Sequence, residues 1–178
     1  EIEPLAKRQI IDDLLHLTQA AIHSGDRGAW LAVLRAPWCG LTLADLTVLF
    51  GQDLQATIPL LLKQAWSEEL SSDGTQRLQN FLRAWAPVAP QLQQFGLRVA
   101  IESLWLRLQG PSLLCEERDM LDVESFFRLL GELDQKKWLL PDRLDEAMQG
   151  LYSQTKDSEA QIEVMTMHKA KGLQFDTV

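Results

Sequence analysis

A short basic turn near the end of the chain has the composition of a phosphate-binding loop. His168, Lys171 and Gly172, with a second lysine between them, separate the extended apolar segments 164–167 and 175–178. Glycine lets a backbone approach an anion closely, and lysine supplies positive charge. The pattern predicts a strand, a turn that faces a phosphate, and a second strand. The alternative is a strand–turn–strand whose lysines are simply solvated.

A helical pattern precedes this segment and extends over about residues 6–152. Apolar residues recur at three- and four-residue intervals, which is typical of amphipathic helices. Asp26 is predicted to cap a helix that ends before Pro37, and Thr42 with Asp45 predicts a capping box at the next helix. Further helices are predicted after Asp53, after a Ser71–Gly74 break, and at 98–109, 123–136 and 141–152. The predicted fold is mainly α, followed by a short β segment.

The turn between the second and third predicted helices is a second candidate site. It contains Cys39-Gly40-Leu41, and Thr42 is predicted to cap the helix that follows. The first turn of a helix has free backbone N–H groups and a positive dipole end, so it can hold a phosphate without a lysine. Gly40, Leu41 and Thr42 are therefore candidate DNA contacts. A tight interhelical corner packed around Trp38 is the alternative.

Composition limits the classes of function. Net charge is −8 and hydrophobic residues make up 46%, which indicates a globular chain without a uniformly basic DNA-binding face. Cys39 and Cys115 are far apart and lack partners at metal spacing, so we expect no metal site and two reduced thiols. We found no membrane-length apolar run and no signal peptide, and the predicted location is cytoplasmic.

Six tryptophans raise the question of base stacking, which aromatic side chains support in single-strand binders. Four of them fall on apolar helical faces, which predicts core packing. These are Trp30, Trp66, Trp85 and Trp105. Trp38, in the turn, and Trp138, beside two lysines, remain candidates for DNA contact.

The segment from Thr166 to Phe175 resembles the T-x-H-x-[AS]-K-G-L-E-[FY] motif of UvrD/Rep-type superfamily 1 helicases and their RecB and AddA relatives. It matches in type and spacing except at Gln174, where the family usually has Glu. An amide still hydrogen-bonds a hydroxyl. The resemblance implies an ATP-dependent DNA helicase or helicase-nuclease of DNA repair or recombination. It also implies ATP and Mg²⁺ as cofactors and single-stranded DNA and a duplex junction as partners, with partner subunits an open question.

The resemblance also implies a domain arrangement. Residues 1–152 correspond to the helical insertion of the second motor domain, 153–160 to a linker, and 161–178 to the start of that α/β motor domain. Cys39-Gly40-Leu41 stands where relatives have a Gly-Ile-Gly turn that contacts duplex DNA, with one of the two glycines retained.

Within the basic turn, the resemblance assigns two sets of contacts. Thr166 and His168 would contact the single strand or couple it to the nucleotide, while Lys171, Gly172 and Gln174 would face the nucleotide. The sequence begins without Met and stops in a predicted strand, so we expect a piece of a longer enzyme. It has no G-x-x-x-x-G-K-[ST] loop, and alone it should not hydrolyse ATP. The alternative function is a helical interaction or regulatory module with no role in DNA or nucleotide binding.

Overall fold

The structure is a computed structural model that describes residues 8–51, 53, 55–63, 70–136, 144 and 146–148. Eight α-helices and one short 3-10 helix make up this part of the chain. They are α1 (Gln9–Ile22), α2 (Arg27–Arg35), α3 (Leu43–Gly51), α4 (Ile58–Leu61), α5 (Ser72–Trp85), α6 (Val88–Phe95), α7 (Leu97–Arg107), the 3-10 helix (Gly110–Leu113) and α8 (Glu117–Lys136). The mainly-α prediction is confirmed. The predicted β segment lies outside the described residues.

Helices α1 and α7 form the centre of the packing. Helix α1 packs against α2, α7 and α8, and α7 also packs against α5 and α6. The side chains at their shared interface are fully buried, among them Leu14, Leu17, Ile101 and Leu104. Burial of a side chain of this size stabilises a fold by about 1.5–3 kcal/mol, so these side chains contribute strongly to the stability of the helical body. None of the helices in the described ranges is long and apolar enough to cross a membrane.

An aromatic cluster joins α2 to α5. The ring of Trp30 lies 4.6 Å from that of Trp85 and 6.5 Å from that of Phe81, between centroids. Trp105 packs in the same way on Phe127 of α8, at 5.6 Å. The predicted packing roles of Trp30 and Trp105 are confirmed by burial, and Trp85 is half-buried against the core. Trp66 lies outside the described residues.

Three helix starts differ from the sequence prediction, the first of them within the shift of several residues that Pro59 allows. The helix expected after Asp53 begins at Ile58, because Asp53 first accepts the amides of Gln55 and Ala56 in a turn. Ser71–Gly74 is not a break: Ser71 caps α5 by accepting the amide of Gly74, which lies inside the helix. Both differences have the same cause, since short polar side chains that bond the backbone locally suit both turns and helix starts.

The third difference is at α8, which begins at Glu117 instead of 123. Asp119 accepts the amides of Cys115 and Glu116, each at 2.9 Å, and so caps the helix from within its first turn. Arg8, just before α1, pairs with Asp119 and lies 3.3 Å from the buried carboxylate of Asp122. The acidic residues at this point therefore form the start of α8, and Arg8 ties them to α1.

Candidate nucleic-acid interface

The corner between α2 and α3 is built by a series of backbone hydrogen bonds. Helix α2 ends when Ala36 adopts an extended conformation, and the carbonyl of Ala36 then accepts the amides of Cys39 at 2.9 Å and Gly40 at 2.7 Å. The amide of Leu41 turns back to the carbonyl of Leu34 at 3.0 Å. Gly40 has φ +65°, a left-handed conformation that glycine adopts without strain. The glycine is therefore required by the turn itself.

The predicted capping box at α3 is present. Thr42 Oγ1 accepts the amide of Asp45 at 3.2 Å and donates to Asp45 Oδ2 at 2.6 Å, and the amide of Thr42 donates to the same carboxylate oxygen at 3.3 Å. All four amides from position 39 to 42 are thus bonded within the protein. The first-turn amides of Leu43 and Ala44 are the ones that the box leaves for an external ligand.

Asp45 also fixes the start of α5. Its carboxylate accepts the amide of Ser71 at 2.9 Å and the hydroxyl of Ser71 at 3.2 Å, and the residue is 3% exposed. Burial alone would raise the pKa of Asp45, but the hydrogen bonds from Thr42 and Ser71 outweigh it, so the pKa lies below its usual value. An ionised carboxylate therefore lies between the first turns of α3 and α5.

Close packing at Gly74 maintains this arrangement. A Cβ at position 74 would lie 2.7 Å from Asp45 Cγ and 2.8 Å from each carboxylate oxygen. The Asp45 side chain is short and held by several hydrogen bonds, so it has little freedom to move aside. Gly74 is required because the carboxylate of another helix occupies the space of its side chain.

The residues predicted to contact DNA at the corner differ in exposure. Gly40 is half-buried and Thr42 is exposed, whereas the side chain of Leu41 is 4% exposed and belongs to the core. Leu43, which sequence analysis did not single out, is 76% exposed beside them. Trp38 is half-buried and donates its indole N–H to the carbonyl of Val33 at 3.1 Å. These contacts support the packed-corner interpretation of Trp38.

Arg77 is the residue at this site that sequence analysis missed. It lies on α5, and a Cβ at Gly40 would be 3.0 Å from its Nη1 atom. Cys39, also at the corner, is buried, and burial raises its thiol pKa to about 12, with Arg77 opposing that shift. The thiol therefore stays protonated and is not a nucleophile. No local sequence pattern connects Arg77 with Gly40, because the contact depends on how α5 packs.

The basic turn near the end of the chain lies outside the described residues. Thr166, His168, Lys171, Gly172 and Gln174 all lie outside the described residues, and so does Trp138. Within the described ranges, the His, Cys, Asp and Glu side chains form no group of three or more that could hold a metal ion.

A family model described as the UvrD-like helicase C-terminal domain matches residues 5–178. That range includes the helical body, the α2–α3 corner and the basic turn. No curated protein matches the chain. No solved structure matches it either.

Proposed function

Because the chain belongs to the family of UvrD-like helicase C-terminal domains, we propose that it is part of an ATP-dependent DNA helicase or helicase-nuclease. The parent enzyme would translocate on single-stranded DNA and unwind duplex DNA during repair or recombination. The observation that carries this proposal is the family match, which spans nearly the whole chain and includes the T-x-H-x-A-K-G-L-Q-F segment.

The proposed arrangement places residues 1–152 in a helical insertion subdomain. Residues 153–160 link it to the second motor domain, which begins at 161–178. The helical body of α1 to α8 supports the first assignment, because its helices share one packed core.

In the basic turn, we assign Thr166 and His168 to the backbone of the single strand. A threonine hydroxyl can donate to a phosphate oxygen, and a histidine ring can donate or accept. Lys171, Gly172 and Gln174 would form the side of the turn that faces the nucleotide.

ATP and Mg²⁺ are the cofactors that the family implies. The described residues do not fit a site for them, because they contain no metal-binding group of side chains and the sequence has no G-x-x-x-x-G-K-[ST] loop. The nucleotide would be bound mainly by other parts of the parent enzyme, and the chain alone would not hydrolyse it.

The α2–α3 corner is the proposed contact with duplex DNA. Gly40, Leu41 and Thr42 form its turn, and the amides of Leu43 and Ala44 provide donors that point out of the first turn of α3. The turn is held by its own backbone bonds and by Asp45, so it would meet a duplex without having to be ordered first.

Two substitutions in the parent enzyme test the helicase proposal. Lys171→Ala and His168→Ala should each lower DNA-stimulated ATPase and unwinding. Lys169→Ala is the matched control, because position 169 is unspecified in the motif and the variant loses the same charge. Unchanged rates in both motif variants would overturn the assignment of the turn.

The corner is tested with the 178-residue chain and a duplex that carries a single-stranded tail, by fluorescence anisotropy over a salt titration. Asp and Asn both tolerate a left-handed backbone better than most residues, so Gly40→Asp and Gly40→Asn differ chiefly in charge. Salt-sensitive binding that Gly40→Asp weakens more than Gly40→Asn is expected. Equal affinity of the unmodified chain and both Gly40 variants would show that the duplex does not bind at the corner.

A further inference from the structure

The α2–α3 corner lacks a cation of its own. Residues 36–42 contain no lysine or arginine, and the four amides from 39 to 42 are used within the protein. The carboxylate of Asp45 lies in the first turn of α3, where it opposes the approach of another anion. The nearest cation in the sequence is Arg35, which ends α2 and lines a groove with Asp12 and His16 of α1. If the corner holds a duplex phosphate, a cation that lies over the turn has to come from another element of the fold.

Arg77 of α5 is in the right place to provide it. Its Nη1 atom lies over the Gly40 turn, 3.0 Å from where a Cβ of residue 40 would be, and its side chain is 44% exposed. Its Nε donates to Asp73 Oδ2 at 2.6 Å. The two Nη groups form no hydrogen bond with the part of the chain that the structure describes. A guanidinium with donors left over is well suited to a phosphate.

The position of Arg77 relative to the corner is fixed by contacts between helices. Asp45 joins the first turns of α3 and α5 through Ser71, and Phe81 on α5 packs against Trp30 on α2. The turn and the guanidinium are therefore held on the same packed unit, although they are far apart in sequence.

We propose that Arg77 binds a phosphate of duplex DNA at the α2–α3 corner, and that Asp73 competes with that phosphate for the guanidinium. This inference rests on the proposed duplex contact of the corner. Asp73 is 68% exposed, so it holds the side chain near the turn without enclosing it. When a phosphate binds the Nη groups, Arg77 gives up its Nε bond to Asp73.

A purely structural role for the pair predicts a different outcome. Asp73 and Arg77 are four residues apart on α5, and such pairs stabilise helices slightly. If the pair serves only the helix, removal of either partner should have the same small effect on stability and no specific effect on DNA. If Arg77 binds phosphate, loss of Arg77 and loss of Asp73 should change DNA affinity in opposite directions.

The experiment measures anisotropy of a fluorescent duplex with a single-stranded tail, titrated with the 178-residue chain at several salt concentrations. Arg77→Gln should weaken binding by about tenfold and reduce the salt slope by about one, as expected for one lost phosphate contact. Asp73→Asn should strengthen binding by a few-fold. Arg83→Gln is the matched control, because Arg83 is also exposed on α5 but is bonded to Asn80. Thermal melts confirm that each variant is folded.

The possible results separate the role of Arg77 from the duplex contact of the corner. Equal losses of DNA affinity in Arg77→Gln and Arg83→Gln would show that only net charge matters, and would overturn the assignment of a phosphate contact to Arg77. If Gly40→Asp weakens binding while Arg77→Gln does not, the corner contact stands and Arg77 is excluded from it. If the unmodified chain does not bind the duplex even at low salt, the corner contact fails and the role of Arg77 fails with it.

Discussion

Gly74→Ala is a substitution for which helix propensity predicts a gain in stability and tertiary packing predicts a loss. Alanine in place of glycine inside a helix normally adds about 0.5–1 kcal/mol of stability. In α5, however, the new Cβ would lie 2.7 Å from the carboxylate carbon of Asp45. Asp45 is buried and short, so it would have to leave Ser71 to make room.

The magnitude follows from the bonds that this movement breaks. Ser71 donates its amide and its hydroxyl to Asp45, and a hydrogen bond to a charged group contributes about 1.5–3 kcal/mol. After subtraction of the helix-propensity gain, and with some adjustment of α5, Gly74→Ala should lower the free energy of unfolding by about 2–4 kcal/mol. Urea denaturation followed by far-UV circular dichroism measures the difference.

A double-mutant cycle isolates the cause. In an Asp45→Ala background the space beside Gly74 is empty, so Gly74→Ala should become neutral or stabilising by up to about 1 kcal/mol. If Gly74→Ala is as stable as the unmodified chain, or if it has the same cost in both backgrounds, the packing argument is refuted.

Other substitutions test further contacts. Gly110→Ala should destabilise the chain by about 1–3 kcal/mol in a thermal melt, because a Cβ there would overlap the indole of Trp105; an unchanged melting temperature would contradict this. Asp134→Ala should lower the free energy of unfolding in urea by about 1–2 kcal/mol, because the carboxylate accepts the first amides of α7 at 2.7 and 2.9 Å. An unchanged free energy of unfolding would show that this cap does not stabilise α7. Burial raises the pKa of Asp13, so Asp13→Asn should stabilise the chain at neutral pH. That gain should disappear as the pH falls to the ordinary value of 3.8, where the unfolded chain also takes up the proton; a gain that persists at low pH would show a cause other than charge.

Sequence analysis succeeded where the stabilising interaction spans a few residues. Asp26 caps α2 through the amide of Ala29, and Thr42 with Asp45 forms the box that the spacing predicts. Both bonds are set by local backbone geometry, so a short window of sequence contains all the information. The same window could not show that Asp45 also bonds Ser71.

The errors arose where a partner comes from elsewhere in the fold. Gly74 was interpreted as a helix break because glycine disfavours helices, but the carboxylate of Asp45 makes it the residue that fits. Sequence analysis also did not show that the amides of the turn before α3 find partners within the corner. The predicted roles of Thr166 and His168 stay predictions, because those residues lie outside the described part of the chain.

The bonds between Asp45 and Ser71 also have a mechanical consequence. They cross from one helix start to another through the buried carboxylate of Asp45, so a force applied to the Gly40 turn would pass through that carboxylate into α5. The turn would be displaced together with α5, and would not bend away from it. If the proposed duplex contact is correct, a load on the corner would be transmitted to α5 through the two hydrogen bonds between Ser71 and Asp45.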